Sequence, residues 1–182
     1  MGKTLFVGDT HFGEEAIILY ENRPFQNTKE MDEVLIKNWN SEVNPEDIVY
    51  VVGDFGANGR EKEYLSRLNG IKYLIKGNHD TKSNEYYRAA GFKEVYDKPI
   101  VLENFWIISH EPLYMNVNMP YANIFAHVHN SPLFKDFSAC HFCASAERIN
   151  FTPILFDDIK VLVLSGVSKS LSKGDIKNVK NI

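Results

Sequence analysis

An α/β fold is expected for this chain, on three observations. Short apolar runs alternate with helical periodicities through the first half, and strand-like segments dominate the second half. The apolar and charged fractions, 44% and 24%, are those of an ordinary globular protein. At 182 residues the simplest organisation is one domain over 1–182. Such a length buries roughly 70% of the unfolded chain's surface.

The elements follow in order. "TLFVG" at 4–8 reads as a buried strand, and Glu14 to Tyr20 as a short helical run. "NRPF" at 22–25 breaks that run, because Pro24 disfavours helix at the residue before it. Thr28 is the expected N-cap of the next helix. Met31, Val34, Leu35 and Trp39 recur there at helical spacing, and the helix should end near Val43, ahead of Pro45. "DIVYVVGDF" supplies a second strand, residues 60–68 a helix stopped by Asn69-Gly70, and 71–76 a third strand. A helix over 83–90 is closed by Gly91. This half therefore reads βαβαβ. Beyond it, "PIVLENFWIISH" splits at Glu103-Asn104 as a hairpin would, and "ANIFAHVH" and 142–149 read as further strands, mostly antiparallel. "FDDIKVLVLSG" reads as a helix, and the last dozen residues as a polar tail.

Several classes are disfavoured. The net charge is −4 with no basic stripe, so duplex DNA and membranes are not expected partners. No run of about 18 apolar residues would span a bilayer, and "KTLFVGD" is too short and polar for a signal peptide. Cys140 and Cys143 are the only cysteines and make no disulfide framework. A cytoplasmic location is the expectation.

The strand ends are chemically loaded. Parallel strands with helical crossovers place ligand sites beyond their carboxyl ends. Here those ends read Asp9-Thr10-His11, Gly53-Asp54, Gly77-Asn78-His79-Asp80, Ser109-His110 and Ala126-His127-Val128-His129. Five of the six histidines fall there, and only His141 does not. Residues two apart on an extended strand share a face, so Asp9/His11 and His127/His129 could serve one cation or bracket two. Imidazole, carboxylate and amide oxygen suit divalent transition metals. Taken singly, each segment is also a plausible turn; the joint pattern is what points to a metal centre.

The ordered set D-x-H, G-D, G-N-H-D, H, H-x-H, spanning residues 9 to 129, resembles the calcineurin-like metallophosphoesterase superfamily. "ENRPF" at 21–25 and "WN" at 39–40 resemble its small bacterial and phage branch. The resemblance implies a four-layer αββα sandwich of two mixed β-sheets flanked by helices, with the site at the loop edge. It implies two divalent ions, manganese foremost, with iron, zinc or nickel as alternatives. Asp9, His11, Asp54 and His129 would hold one ion, and Asp54, Asn78, His110 and His127 the other, with Asp54 bridging. The implied reaction is phosphodiester or phosphomonoester hydrolysis, by in-line attack of a hydroxide bridging the ions. His79 would be the catalytic general acid or a donor to a phosphoryl oxygen, and Asn78 and His79 would also meet the substrate. The expected partner is a small phosphorylated molecule, nucleotides included. The alternative is a non-catalytic metal-binding interaction module on the same fold.

The chain departs from the family pattern in places. Ser109 and Ala126 stand where glycine is frequent. Many members carry an acid or Arg after the Gly-Asp motif to orient the catalytic histidine, whereas here the run is "GDFGANGR". Asp80 is a candidate partner of His79, or a cap of the next turn. Arg23 is the expected phosphate-binding side chain, since a guanidinium fork matches phosphate, with Asn22 in support. Cys140, His141 and Cys143 would make a poor separate zinc site, because Cys140 and Cys143 would point to opposite faces of a strand. Tyr114 and Tyr121 are candidate pocket-lining residues.

Overall fold

The computed structural model describes residues 2–116, 118–131 and 139–164. In chain order it contains β1 (Thr4–Val7), α1 (Ala16–Tyr20), α2 (Thr28–Glu42), β2 (Ile48–Val51), α3 (Glu61–Arg67), β3 (Ile71–Ile75), α4 (Asn84–Ala90) and β4 (Glu94–Tyr96). These are followed by β5 (Ile100–Leu102), β6 (Trp106–Ile108), β7 (Ala122–Phe125), β8 (His141–Cys143), β9 (Ile154–Leu155) and α5 (Phe156–Leu164). Two mixed sheets result. One has the order β4-β3-β2-β1-β9, with β9 antiparallel to an otherwise parallel set. The other has the order β5-β6-β7-β8, with only β5–β6 antiparallel.

The sandwich follows from burial. Leu5, Phe6 and Val7 are all buried, as is every residue of β7, so these strands have no solvent face. A strand apolar on both faces must be covered on both. A chain of rings ties the layers together. Phe6 stacks on Tyr50 at 5.3 Å and meets Phe156 at 5.2 Å, and Phe156 meets Trp106 of the second sheet at 5.4 Å. Burying a large apolar side chain stabilises by roughly 1.5–3 kcal/mol. One contiguous core cluster runs through both sheets and the inner faces of α2, α3 and α5.

Helix α2 shows how sequence sets the outer layer. Met31, Leu35 and Trp39 lie four apart and are buried on one stripe. The N-cap is Asn27, one residue ahead of expectation. Its side chain accepts from Glu30 N at 3.0 Å, while Glu30 reaches back to Gln26 N at 2.7 Å. The helix ends at Glu42, where Val43 turns extended ahead of Pro45.

Three points of the expected fold need correction. The second sheet is mostly parallel: β6 and β7 are joined by a long connection, as a parallel pair requires, and β8 also runs parallel to β7. The strand foreseen over 142–149 stops at Cys143. Ser145 makes one bridge to Gly8, and the chain then coils, with Arg148 N and Ile149 N both bonded to Ser145 O. Strands β4 and β9 were not foreseen; they have three and two residues, too few for a visible alternation. The helix expected over the segment starting at Phe156 is present as α5, and the polar tail lies outside the described residues. Among the described residues no helix is long and apolar enough to cross a membrane.

Candidate metal centre

Asp9, His11, Asp54, Asn78, His110, His127 and His129 all lie in loops just beyond the carboxyl ends of β1, β2, β3, β6 and β7. The structure gathers their ligand atoms into two groups. Atoms of Asp9, His11 and His129 lie within 4.8 Å of one another, as do atoms of Asp54, His110 and His127. Asn78 joins the second group, its Oδ1 being 3.0 Å from both His110 Nε2 and His127 Nδ1. Asp54 Oδ2 stands between the groups, 3.2 Å from His110 Nε2 and 3.8 Å from His11 Nε2.

The backbone at these residues is unusual. Asp9, His11, Asp54, His127 and His129 all have φ between 46° and 68°. Left-handed backbone costs an L-residue on the order of 1 kcal/mol, and clusters of such residues mark functional sites. Long-range bonds hold the loops in place: Asp9 N to Gly53 O at 3.0 Å, His11 N to Asp54 O at 3.0 Å, and His127 N to Asp9 Oδ1 at 3.2 Å. Two glycines permit the crowding. A Cβ on Gly53 would strike the His110 ring, and one on Gly8 would strike the Ala126 methyl. Alanine fits at position 126 because its neighbour Gly8 carries no side chain.

Asp80 ties the second and third loops together. Its Oδ2 accepts from Asp54 N at 2.8 Å and Gly77 N at 2.9 Å, and its Oδ1 accepts from Phe55 N at 3.2 Å. Both oxygens thus face backbone N–H groups, and the carboxylate serves as a clasp between the loops. Burial, reinforced by the Asp54 charge, pushes the Asp80 carboxyl up to about 6.

The chemistry of the donor set can be tested against cations. Asp9 Oδ2 and His11 Nε2 are buried without a hydrogen-bond partner. Buried polar atoms are rarely left so. Carboxylate or carbonyl oxygens fix the other nitrogen of three imidazoles: Glu14 Oε2 at 2.9 Å from His11 Nδ1, Val52 O at 2.9 Å from His110 Nδ1, and Glu147 Oε1 at 3.1 Å from His129 Nδ1. These acceptors place the proton on Nδ1 and leave Nε2 as an electron-pair donor, the arrangement of a ligating histidine. His110 Nε2, His127 Nδ1, Asn78 Oδ1 and Asp54 Oδ2 then crowd together and repel unless a proton or cation sits among them. The residues present fit divalent ions.

Protons compete for the same place. Burial opposes charge on His110, but the Asp54 and Asp9 carboxylates outweigh it and raise its pKa to about 9. Burial likewise disfavours ionised Asp54, yet His110 and the His79 backbone N–H hold its pKa down at about 2. His129 is raised as well, burial being outweighed by Glu147 and Asp9. A histidine protonated through neutral pH must release that proton to a metal. Affinity for Mn²⁺ should therefore climb between about pH 6 and about pH 9, by up to about tenfold per unit for each proton displaced. Calorimetry in buffers of differing ionisation enthalpy would measure the proton release; affinity that stays flat over this range would contradict the donor assignment.

The remaining candidates are placed as follows. His79 stands at the mouth, its side chain 53% exposed, with its Nδ1 4.0 Å from Glu14 Oε2. Arg23 has a different task from phosphate binding. Its guanidinium is sealed in, donating to Asp9 O at 2.6 Å, Thr10 O at 3.0 Å and Glu147 Oε1 at 2.8 Å, so it braces the first ligand loop from behind. Asn22 is exposed, and Tyr114 is 86% exposed. His141 Nε2 bonds to Leu113 O at 2.7 Å, and Cys143 is buried beside Ser145. Among the described residues, no cation-sized group includes either cysteine. Glu14 and Glu147 were not foreseen. Burial raises the pKa of Glu147, but the His129 hydrogen bond and the Arg23 charge hold it at about 2.

Paired sheets that deliver carboxylates and imidazoles along one edge into adjoining cages are the layout of the metallophosphoesterases. A family model of calcineurin-like phosphoesterases matches residues 2–161, which take in both sheets and both ligand groups, and the chain belongs to that family. An uncharacterized protein of Methanocaldococcus jannaschii is 34% identical over 174 residues, covering 91% of this chain and 94% of that one. The gene 66 protein of Mycobacterium phage L5 is 32% identical over 85 residues, 44% of this chain and 41% of the phage protein. A solved protein of unknown function from Aquifex aeolicus matches with a TM-score of 0.68 at 25% identity, over 89% of this chain and 100% of its own.

Proposed function

We propose that the protein hydrolyses phosphoesters with two divalent ions, manganese foremost, held by Asp9, His11, Asp54 and His129 on one side and by Asp54, Asn78, His110 and His127 on the other. The observation that carries the reading is the position of Asp54 Oδ2, between two donor groups that each hold crowded or partnerless buried atoms. When bound, a pair of such ions acidifies water and draws charge off the phosphoryl oxygens.

The chain's own residues do the rest. His79 N donates to Asp54 Oδ1 at 2.9 Å, which anchors the His79 backbone beside the shared carboxylate. From the open mouth its ring reaches the leaving oxygen and gives it a proton, a contribution of typically ~10²–10⁴-fold. Beside Asn78 and His110 lies a cavity of about 260 Å³, lined by Lys76 and Lys98 but also by Asp97 and Glu111, with Lys76 paired to Asp97 at 3.0 Å; it gives room for part of a small phosphorylated substrate such as a nucleotide, and Lys98 is the lysine of the lining outside that pair. Asn78, His79 and His127 are all exposed, so the site is open, and that favours diesters or large leaving groups.

A panel of phosphomonoesters, phosphodiesters and cyclic phosphates, assayed with Mn²⁺, Fe²⁺, Zn²⁺ and Ni²⁺, tests this. Turnover of at least one ester class is expected, falling by ~10²-fold or more in His79→Ala with a poor leaving group. A protein that takes up metal but cleaves no ester would instead be the non-catalytic module.

A further inference from the structure

In this chain the run from Gly-Asp onward is "GDFGANGR"; after the motif it holds no acid, its Arg60 is paired with Glu63 at 2.7 Å, and Asp80 accepts from three backbone N–H groups. One carboxylate does face His79. Glu14 Oε2 lies 2.9 Å from His11 Nδ1 and 4.0 Å from His79 Nδ1, and the His79 ring meets the His11 ring edge-on with centroids 5.0 Å apart. Glu14 is preset for this. Its side chain is only 17% exposed, and its N–H closes a turn onto His11 O at 3.1 Å. Behind the turn, Asp32 accepts from Gly13 N at 3.1 Å and from the Tyr64 hydroxyl at 2.7 Å. The half-exposed His79 ring is the freer partner, and a small swing brings its Nδ1 onto the fixed carboxylate.

We propose that Glu14 is the positioning residue of His79, supplied from the first loop in place of the absent acid after Gly-Asp. The inference rests on the phosphoesterase reading above. With Nδ1–H held by Glu14, Nε2–H points outward. As the bond from phosphorus to the leaving oxygen breaks, that oxygen keeps the electron pair and takes the Nε2 proton. The imidazole is left neutral, with Nδ1–H still on the carboxylate. The same Glu14 oxygen holds a ligating and a proton-donating histidine, which fixes the distance between them.

The test uses matched phosphoesters that differ only in leaving group, nitrophenoxide against an alkoxide, with wild type, Glu14→Gln, His79→Ala and the double variant. Glutamine can still accept from His11 Nδ1 but lacks the charge that favours an imidazolium. Glu14→Gln should slow the alkyl ester by about tenfold more than the nitrophenyl ester, in the direction shown by His79→Ala. That selectivity should vanish in the His79→Ala background. Metal content should match wild type, and in the metal-free protein nitrogen NMR should show the His79 Nδ1 resonance displaced by Glu14→Gln. Equal slowing of both esters, a selective loss that persists without His79, or a loss that tracks metal content would overturn the assignment. If wild type cleaves neither ester, the phosphoesterase reading fails and this inference with it. If wild type and His79→Ala behave as stated and Glu14→Gln shows no leaving-group effect, only the role of Glu14 falls.

Discussion

Replacing Asp54 by asparagine should empty both cages at once and lower hydrolysis by at least about 10³-fold, more than loss of a single oxyanion donor. Asparagine keeps the volume and can still accept from His79 N, which Asp54 Oδ1 does at 2.9 Å. It lacks the charge that faces His110 at 3.2 Å and His11 at 3.8 Å. In the metal-free variant the His110 pKa should fall back from about 9, because the carboxylate that opposes its desolvation is gone. Asn78→Ala is the comparison: its amide oxygen meets only the His110/His127 group, so the other cage should keep its ion. Elemental analysis of reconstituted protein and an NMR titration of His110 would measure both effects. An Asp54→Asn protein that retains both ions and full turnover would refute the shared-carboxylate arrangement.

Asp80→Ala should be among the most destabilising single substitutions near the site. It orphans the buried N–H groups of Asp54 and Phe55 and the part-buried one of Gly77 together. A buried unsatisfied donor costs about 1–3 kcal/mol, so the loss should reach about 3 kcal/mol or more. For a chain of this size that lowers the melting temperature by about 6–12 °C. The pH dependence has a definite sign. Asp80 has a folded-state pKa raised from 3.8 to about 6, so the stability it contributes is full below about 4 and diminishes as pH rises through about 6. The gap between wild type and Asp80→Ala should therefore narrow as pH climbs through that window in metal-free protein. Calorimetric melts at a series of pH values would show it; a gap of constant size would contradict the raised pKa, and a gap below about 1 kcal/mol would mean the clasp is dispensable.

What could be read from the sequence follows the range of the physics involved. β1, β2 and β3 were legible because each is an unbroken apolar run that ends in turn residues, a local signal. The ligand edge was legible for a related reason: Asp9, His11, Asp54, Asn78, His110, His127 and His129 sit directly after such runs, at positions a parallel sheet turns toward one rim. The direction of β7 was not legible, since pairing sense goes with the long connection from β6, which carries no periodicity. Nor was the burial of Arg23. Its partner Glu147 lies 124 residues away, and an ion pair across that separation leaves no pattern in either neighbourhood. Glu14 escaped because an acid three residues from a histidine in a polar loop looks like any solvated side chain until β3 brings His79 beside it.

The left-handed backbone at Asp9, His11, Asp54, His127 and His129 has an evolutionary reading. Glycine is at ease in that conformation and alanine is not. If a lineage lost the need for the reaction, replacing any of these five by glycine would discard a donor and relax the chain in one step, whereas alanine would discard the donor and keep the strain. Disarmed descendants of this fold should accordingly be recognisable by glycines at the former donor positions, and they should outlast their working ancestors on heating.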